Sequence, residues 1–475
     1  MKLDGINIPE TVTSIKKQID EDGSVSPALK VSIELMLLIV TLLCNRLGLN
    51  SQNSSKPPSV DPNREKKTTK KTDKKPGGQK GRKGTTLSKY DAPDVVKKIT
   101  VKRSKLGKGQ YKEVGVETRQ VVDIEFKRVV TEYQAQILAD ENGKRIVAEF
   151  PPGISRPIQY GKQIKAHAVY LSQYQLLPYE RISEYFSEQL AIPISEGSVY
   201  NFISEAYEQI AALKIDDAIK QALTRESIIH CDETGINIGG KRQWLHSVSS
   251  ARWTWFTAHQ KRGQDAMDEA GVLPDYAGIV CHDHWKPYYK YEACQHALCN
   301  AHHLRELTRA YEQDKQQWAE KMRQFLLDSH DEVEREGGML NSKAQKAVRE
   351  AYREILTQGE LESPPAQKEE GKRGRVKKTK SRNLLERLRD FEDDVLRFII
   401  RKDVPFTNNQ GENDIRMTKV HQKISGCFRS DKGAKMFCAI RSYLSCCRKQ
   451  EVTASAAMSL LFSGHLPDIF IPGAE

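Results

Sequence analysis

Apolar residues along the chain fall into three kinds of pattern, and each predicts a different element. The first is a nearly unbroken run, "VSIELMLLIVTLLC", in which Val31, Leu35, Leu38 and Leu42, with Leu49 beyond it, keep a near-heptad spacing. Such spacing predicts a helix with one adhesive face, either self-associating as a short coiled coil or packed within its own chain. The run contains Glu34 and falls short of the roughly 20 residues that cross a bilayer, so no membrane span is expected in this N-terminal segment, residues 1–50. The second pattern is strict alternation. "RQVVDIEFKRVVTEYQAQIL" and "ADENGKRIVAEF", with Asn142-Gly143 as a hairpin signal, predict a small β module over residues 94–155.

The third pattern is helical. In "RISEYFSEQLAIPISEGSVYNFISEAYEQI", Ile182, Tyr185, Phe186 and Leu190 share one face, the chain breaks at Ile192-Pro193, and Ser195 or Ser198 caps a second helix with Val199, Phe202, Ile203 and Ala206 inward. Residues 156–215 therefore have the outline of a helix-turn-helix, an outline that ordinary helical hairpins share.

Beyond it, residues 216–430 mix both periods. "ESIIHCDETGINI" and "QWLHSVSSARWTWFTAHQ" give three consecutive strands with turns at Gly239-Gly240 and near Ser250-Ala251. "GQDAMDEAG" reads as a short helix, "AGIVCHDHW" as a strand, and "HALCNAHHLREL" as a strand entering a helix. Antiparallel strands followed by helix-linked strands make a mixed sheet, an order that suits a ribonuclease H-like core. Residues 311–400 are strongly helical, broken by the basic stretch "SPPAQKEEGKRGRVKKTKSR", and residues 431–475 are helical again. The expected fold class is thus a multidomain α/β chain: a mixed ribonuclease H-like sheet with a large helical insertion, preceded by an N-terminal helix, a small β module and a helix-turn-helix-like segment.

Charge changes the picture. The formal net charge is +12 over 475 residues, which favours a polyanionic partner, nucleic acid first. Much of the excess sits in residues 51–93, a Lys-, Ser-, Pro- and Gly-rich linker too poor in apolar residues to order itself. Its Lys66, Lys67, Lys70, Lys71, Lys74 and Lys75 suit sequence-independent contacts to phosphates. The nine cysteines form no disulfide framework, and the start "MKLDGINIPE" lacks the order of a signal peptide, so a cytoplasmic location is expected.

Candidate chemistry comes from three acids. Asp232 ends the apolar strand "SIIHCD" and Asp283 ends "GIVCHD"; acids at the ends of buried strands are costly to desolvate and invite a cation. Glu412 lies in "FTNNQGENDIRMTKVHQKISGCFRS", where a helix beginning near Asn409 stacks Glu412, Arg416, Lys419 and Lys423 on one face. Asp414 would lie about 200° away, at the surface. Three carboxylates suit hard divalent ions, two Mg²⁺ or Mn²⁺, for phosphodiester chemistry. Asn409 is expected to orient Glu412, and Arg416 to hold a phosphate. The plainer alternative has Asp232 and Asp283 capping turns or pairing with Lys241 and Lys286.

"NSSKPPS", the Lys-rich "KPGGQKG", "HCDET", "LCNAHHLREL" and above all "VPFTNNQGENDIRMTKVHQKISGCFRS" resemble transposases of the insertion-sequence-66 family, in order from about residue 35 to 450. The resemblance implies a DDE transposase with Asp232, Asp283 and Glu412 as its acids and the helical stretch as an insertion. Its partners would be the terminal inverted repeats and target DNA, acting as a homo-oligomer with or without accessory proteins. A non-catalytic repressor derived from such an enzyme is the alternative, and a junction or repair nuclease on the same fold a third. One departure concerns zinc. Cysteine pairs common in the family's small module are missing, since residues 45–230 contain no cysteine. No zinc is expected there, nor at Cys281, Cys294, Cys299, His302 and His303, whose spacing lacks a second half.

Overall fold

Two short strands, β1 (Lys2–Leu3) and β2 (Ile6–Asn7), open the chain and lead into a helical hairpin, α1 (Ile8–Glu21) and α2 (Pro27–Leu47). The computed structural model describes every residue except 1, 4–5, 23, 55–60, 62–86, 103, 105, 366–375, 377 and 472–475. Lys66, Lys67, Lys70, Lys71, Lys74 and Lys75 lie outside the described residues, as does most of the linker that carries them. Ser26 caps α2 by accepting the Leu29 N–H at 3.3 Å, with Pro27 at the first helical position. Capping carries the helix past the apolar run at both ends, to 21 residues. By length and composition alone it would therefore reach across a bilayer, and the shortfall expected from the sequence does not hold. Only Leu37 is buried on it.

The β module expected over residues 94–155 reduces to one hairpin, β3 (Ile137–Ala139) with β4 (Arg145–Val147), whose residues are all exposed. Gly143, with φ +80°, makes the turn the sequence announced. The remaining alternation supplies a face with no second layer to cover it, and no other strand forms there among the described residues.

From residue 162 the chain has partners on every side. Helices α3 (Lys162–Val169), α4 (Tyr179–Leu190), α5 (Glu196–Ala212) and α6 (Ile215–Thr224) precede the sheet, and Ser195 caps α5 through the Ser198 N–H at 3.1 Å. Strands β5 (Ile228–Ile238), β6 (Lys241–Ser249) and β7 (Thr254–His259) follow as an antiparallel meander, turning at Gly239 and Gly240, both at positive φ. After α7 (Gln264–Ala270) come β8 (Ile279–His282) and β9 (Gln295–Leu298), both parallel to β5. The strand order is β7-β6-β5-β8-β9, which places β5 at the centre.

A block of helices then intervenes: α8 (Asn300–Asp314), α9 (Gln317–Arg335), α10 (Ser342–Glu362), α11 (Lys380–Asp390) and α12 (Glu392–Val395). It has a core of its own around the fully buried Trp318 and Tyr352, which joins the sheet at Ile279, Cys281 and Leu298. Helices α13 (Asn409–Ser425), α14 (Asp431–Lys449) and α15 (Ala454–Ser463) complete the chain. The alternation of β5 sends Ile229 and Cys231 into a core shared with α5, α6, α14 and α15. Residues of the opposite parity, His230 and Asp232, face the α13 side of the sheet.

Candidate active site

Register brings the first two acids together. His230 of β5 pairs with Cys281 of the parallel β8, so Asp232 and Asp283, each two residues further on, stand at the same level of neighbouring strands. Asp283 caps the turn after β8 by accepting the Trp285 N–H at 3.0 Å, and Asp232 accepts the N–H of Glu233 at 2.9 Å. Among the described residues, no ion pair joins either acid to Lys241 or Lys286. Burial, then the charges of Glu233, Asp283 and Glu412, push the Asp232 carboxyl up to about 8.

Glu412 arrives on the first turn of α13, and the residue that aims this helix is Asn408, not the exposed Asn409. Asn408 is buried. Its Nδ2 donates to the Cys231 carbonyl at 2.8 Å, its Oδ1 meets His230 Nδ1 at 2.7 Å, and its backbone N–H reaches Cys299 Sγ at 3.1 Å. Its carbonyl accepts the Glu412 N–H at 3.2 Å, so one side chain ties the helix start to the strand that carries Asp232. Gly411 leaves room for it, because a Cβ there would stand 3.0 Å from Asn408 Nδ2. Nothing in "TNNQ" distinguishes the two asparagines before the long-range contacts exist. Glu412 Oε1 is buried without a hydrogen-bond partner.

The neighbouring Glu233 is held by Arg262, at 2.5 and 2.9 Å, and by the Tyr288 hydroxyl at 2.7 Å. Burial, ahead of the Asp283 charge, raises its carboxyl. Arg262 also lies over the rings of Trp244 and Trp285, at 4.8 and 4.2 Å from their centroids. The basic row on α13, Arg416, Lys419 and Lys423, is exposed, and Lys419 Nζ also donates to the Gly235 carbonyl at 2.9 Å. Asp414 corrects its expected surface setting. It pairs with Lys449 at 2.7 Å, both side chains under one-fifth exposed, and Lys449 also donates to the Ser250 and Trp253 carbonyls. This acid fastens α13 to α14 and faces away from the other three.

The cysteine and histidine set divides. Cys281 is buried, Cys294 donates to the Tyr291 carbonyl at 3.0 Å, and His303 pairs with Asn300 at 3.0 Å. Cys299 and His302 instead stand beside Glu412, with one ligand atom of each of the three within 4.8 Å of the others.

Asp232 within the long central strand, Asp283 just past the end of its parallel neighbour, a third acid from a following helix and a basic row beside them make a candidate site for nucleic-acid chemistry. Residues 157–436, more than half of the chain, match the Transposase IS66 family, and the chain belongs to it. Membership makes it a protein of the DNA-cleaving and DNA-transferring kind, with DNA as its partner; enzymes of this kind generally use divalent metal. Residues 11–88 match a family of unknown function, DUF6444. No curated protein matches the chain.

Proposed function

We propose that the chain cuts phosphodiester bonds at the ends of its own element and joins the freed 3′ ends to target DNA, with Asp232, Asp283 and Glu412 as its metal-holding acids. The observation that carries this reading is the convergence of these acids across β5, β8 and α13, with Glu412 Oε1 left buried and unpaired. An oxygen-only donor set with excess negative charge fits hard ions such as Mg²⁺ or Mn²⁺. Bound there, two such ions would supply activation of a water and support of the departing 3′ oxygen. The protein's own part is positional: Asn408 fixes the entry of α13, and Arg416 and Lys423 offer cations to phosphates beside the acids. The strand order, with an antiparallel meander and two parallel additions, supports a ribonuclease H-like classification of the sheet. The exposed apolar side of α2, including Leu35, Leu38 and Leu42, supports contact between copies.

The test uses the purified chain and DNA carrying the element's terminal repeats, with Mg²⁺. The wild type is expected to nick and join, while Asp232→Asn, Asp283→Asn and Glu412→Gln bind the same DNA and lose cleavage by at least about 100-fold. Substantial Mg²⁺-dependent cleavage by Asp232→Asn would remove that acid from the site. Binding without cleavage by the wild type would return the chain to the repressor reading.

A further inference from the structure

The pair Cys299 and His302 has no role in the chemistry just described, yet it points at the same helix turn. Cys299 caps α8, and His302 lies on its first turn, so the three-residue spacing places both on one face. Cys299 Sγ is buried, which raises its thiol, and accepts the Asn408 N–H at 3.1 Å, so the thiolate forms there only with a bound cation to offset the burial. His302 Nδ1 and Glu412 Oε1 are both buried without hydrogen-bond partners. One donor atom from each of Cys299, His302 and Glu412 lies within 4.8 Å of the others, a span that a single ion bound at about 2.0–2.3 Å from each can close with small side-chain adjustment.

We propose that Cys299, His302 and Glu412 form a site for a borderline-soft divalent cation, Zn²⁺, which shares Glu412 with the hard-metal site and so competes with it. The donor chemistry separates the two sites: a thiolate and an imidazole select Zn²⁺, whereas Asp232 and Asp283 offer only oxygen. Three protein ligands leave a fourth tetrahedral position to water. Binding costs Cys299 its thiol proton, which passes to solvent, so affinity rises with pH. The competition rests on the transposase reading; the binding itself does not.

The probe is Co²⁺, titrated into the full chain after chelator treatment under reducing conditions. A thiolate-to-cobalt band in the near ultraviolet is expected, together with tetrahedral visible bands that Zn²⁺ displaces. Cys299→Ser should abolish the thiolate band, and His302→Gln should weaken Co²⁺ binding by at least about tenfold. Asp232→Asn and Asp283→Asn should keep both signals. In the Mg²⁺ cleavage assay, Cys299→Ser should require at least about ten times more Zn²⁺ for inhibition than the wild type. A wild type with no thiolate band, or a band that survives Cys299→Ser, overturns the site. Binding of the terminal DNA without cleavage by the wild type would overturn the catalytic reading while leaving the cobalt signals as they stand, so the two failures are distinguishable.

Discussion

Strand β5 and the stretch from Val121 to Val130 are written in the same alternating style, and they end in opposite states. Ile229 and Cys231 are at most 2% exposed, whereas Val121, Val129 and Val130 are 93%, 78% and 81% exposed. β5 has β6 on one edge, β8 on the other, and helices over its faces. Residues 121–130 have none of these and form no strand. Alternation defines an apolar face, but a strand is stable only when neighbours satisfy its backbone and a second layer covers that face. The proposed site lies in the region that has both.

The sharpest way to break this comparison is to put the same charge into both regions. Ile229→Asp should cost more than about 4 kcal/mol and leave little folded protein, because the carboxylate would be buried unpaired. Val129→Asp should move the thermal midpoint by no more than about 0.5 kcal/mol equivalent. Equal damage from both would mean that residues 94–155 possess a core after all.

Next in size is the cost of burying an acid on the central strand, with other acids beside it. The Asp232 carboxyl is raised from 3.8 to about 8, so the folded chain keeps a proton that the unfolded chain has lost. Without metal, stability should therefore fall as pH rises from about 4 to about 8, and Asp232→Asn should flatten that slope and stabilise the metal-free chain at pH 8. Melts with and without chelator measure it; a slope unchanged in Asp232→Asn would mean that the Asp232 carboxyl is not raised in the fold. Asn408→Ala should follow at about 2 kcal/mol, since it strands His230 and the Cys231 carbonyl in the core, while Asn409→Ala should be neutral in urea unfolding. Smallest is Asp414→Asn, at about 1 kcal/mol, because Lys449 keeps its two carbonyl partners. A neutral result there would restore Asp414 to the surface.

These residues also mark what was readable in the sequence. The end of β8 just before Asp283, the helix start at Asn409, the Ser195 cap and the turns at Gly143 and Gly239-Gly240 are local events, and local pattern announces them. The strand end expected at Asp232 does not occur, because β6 goes on pairing with β5 to Ile238. Asn408 reaches Cys231 and Asp414 reaches Lys449 across other elements, so neither contact has a signature in its own stretch. The meeting of Cys299 and His302 with Glu412 is hidden for the same reason: a whole helical block separates them in the chain. The β module failed differently, since its pattern was present and its partners were not.

The last helix of the core lies against the first: α15, ending at Ser463, packs on α3, which begins at Lys162. A premature stop codon anywhere before α15 therefore strips the cover from α3 and α5, and one before α14 bares β7 as well. Chains truncated before α15 are therefore expected to lose the core that this closing contact completes and to be open to proteolysis.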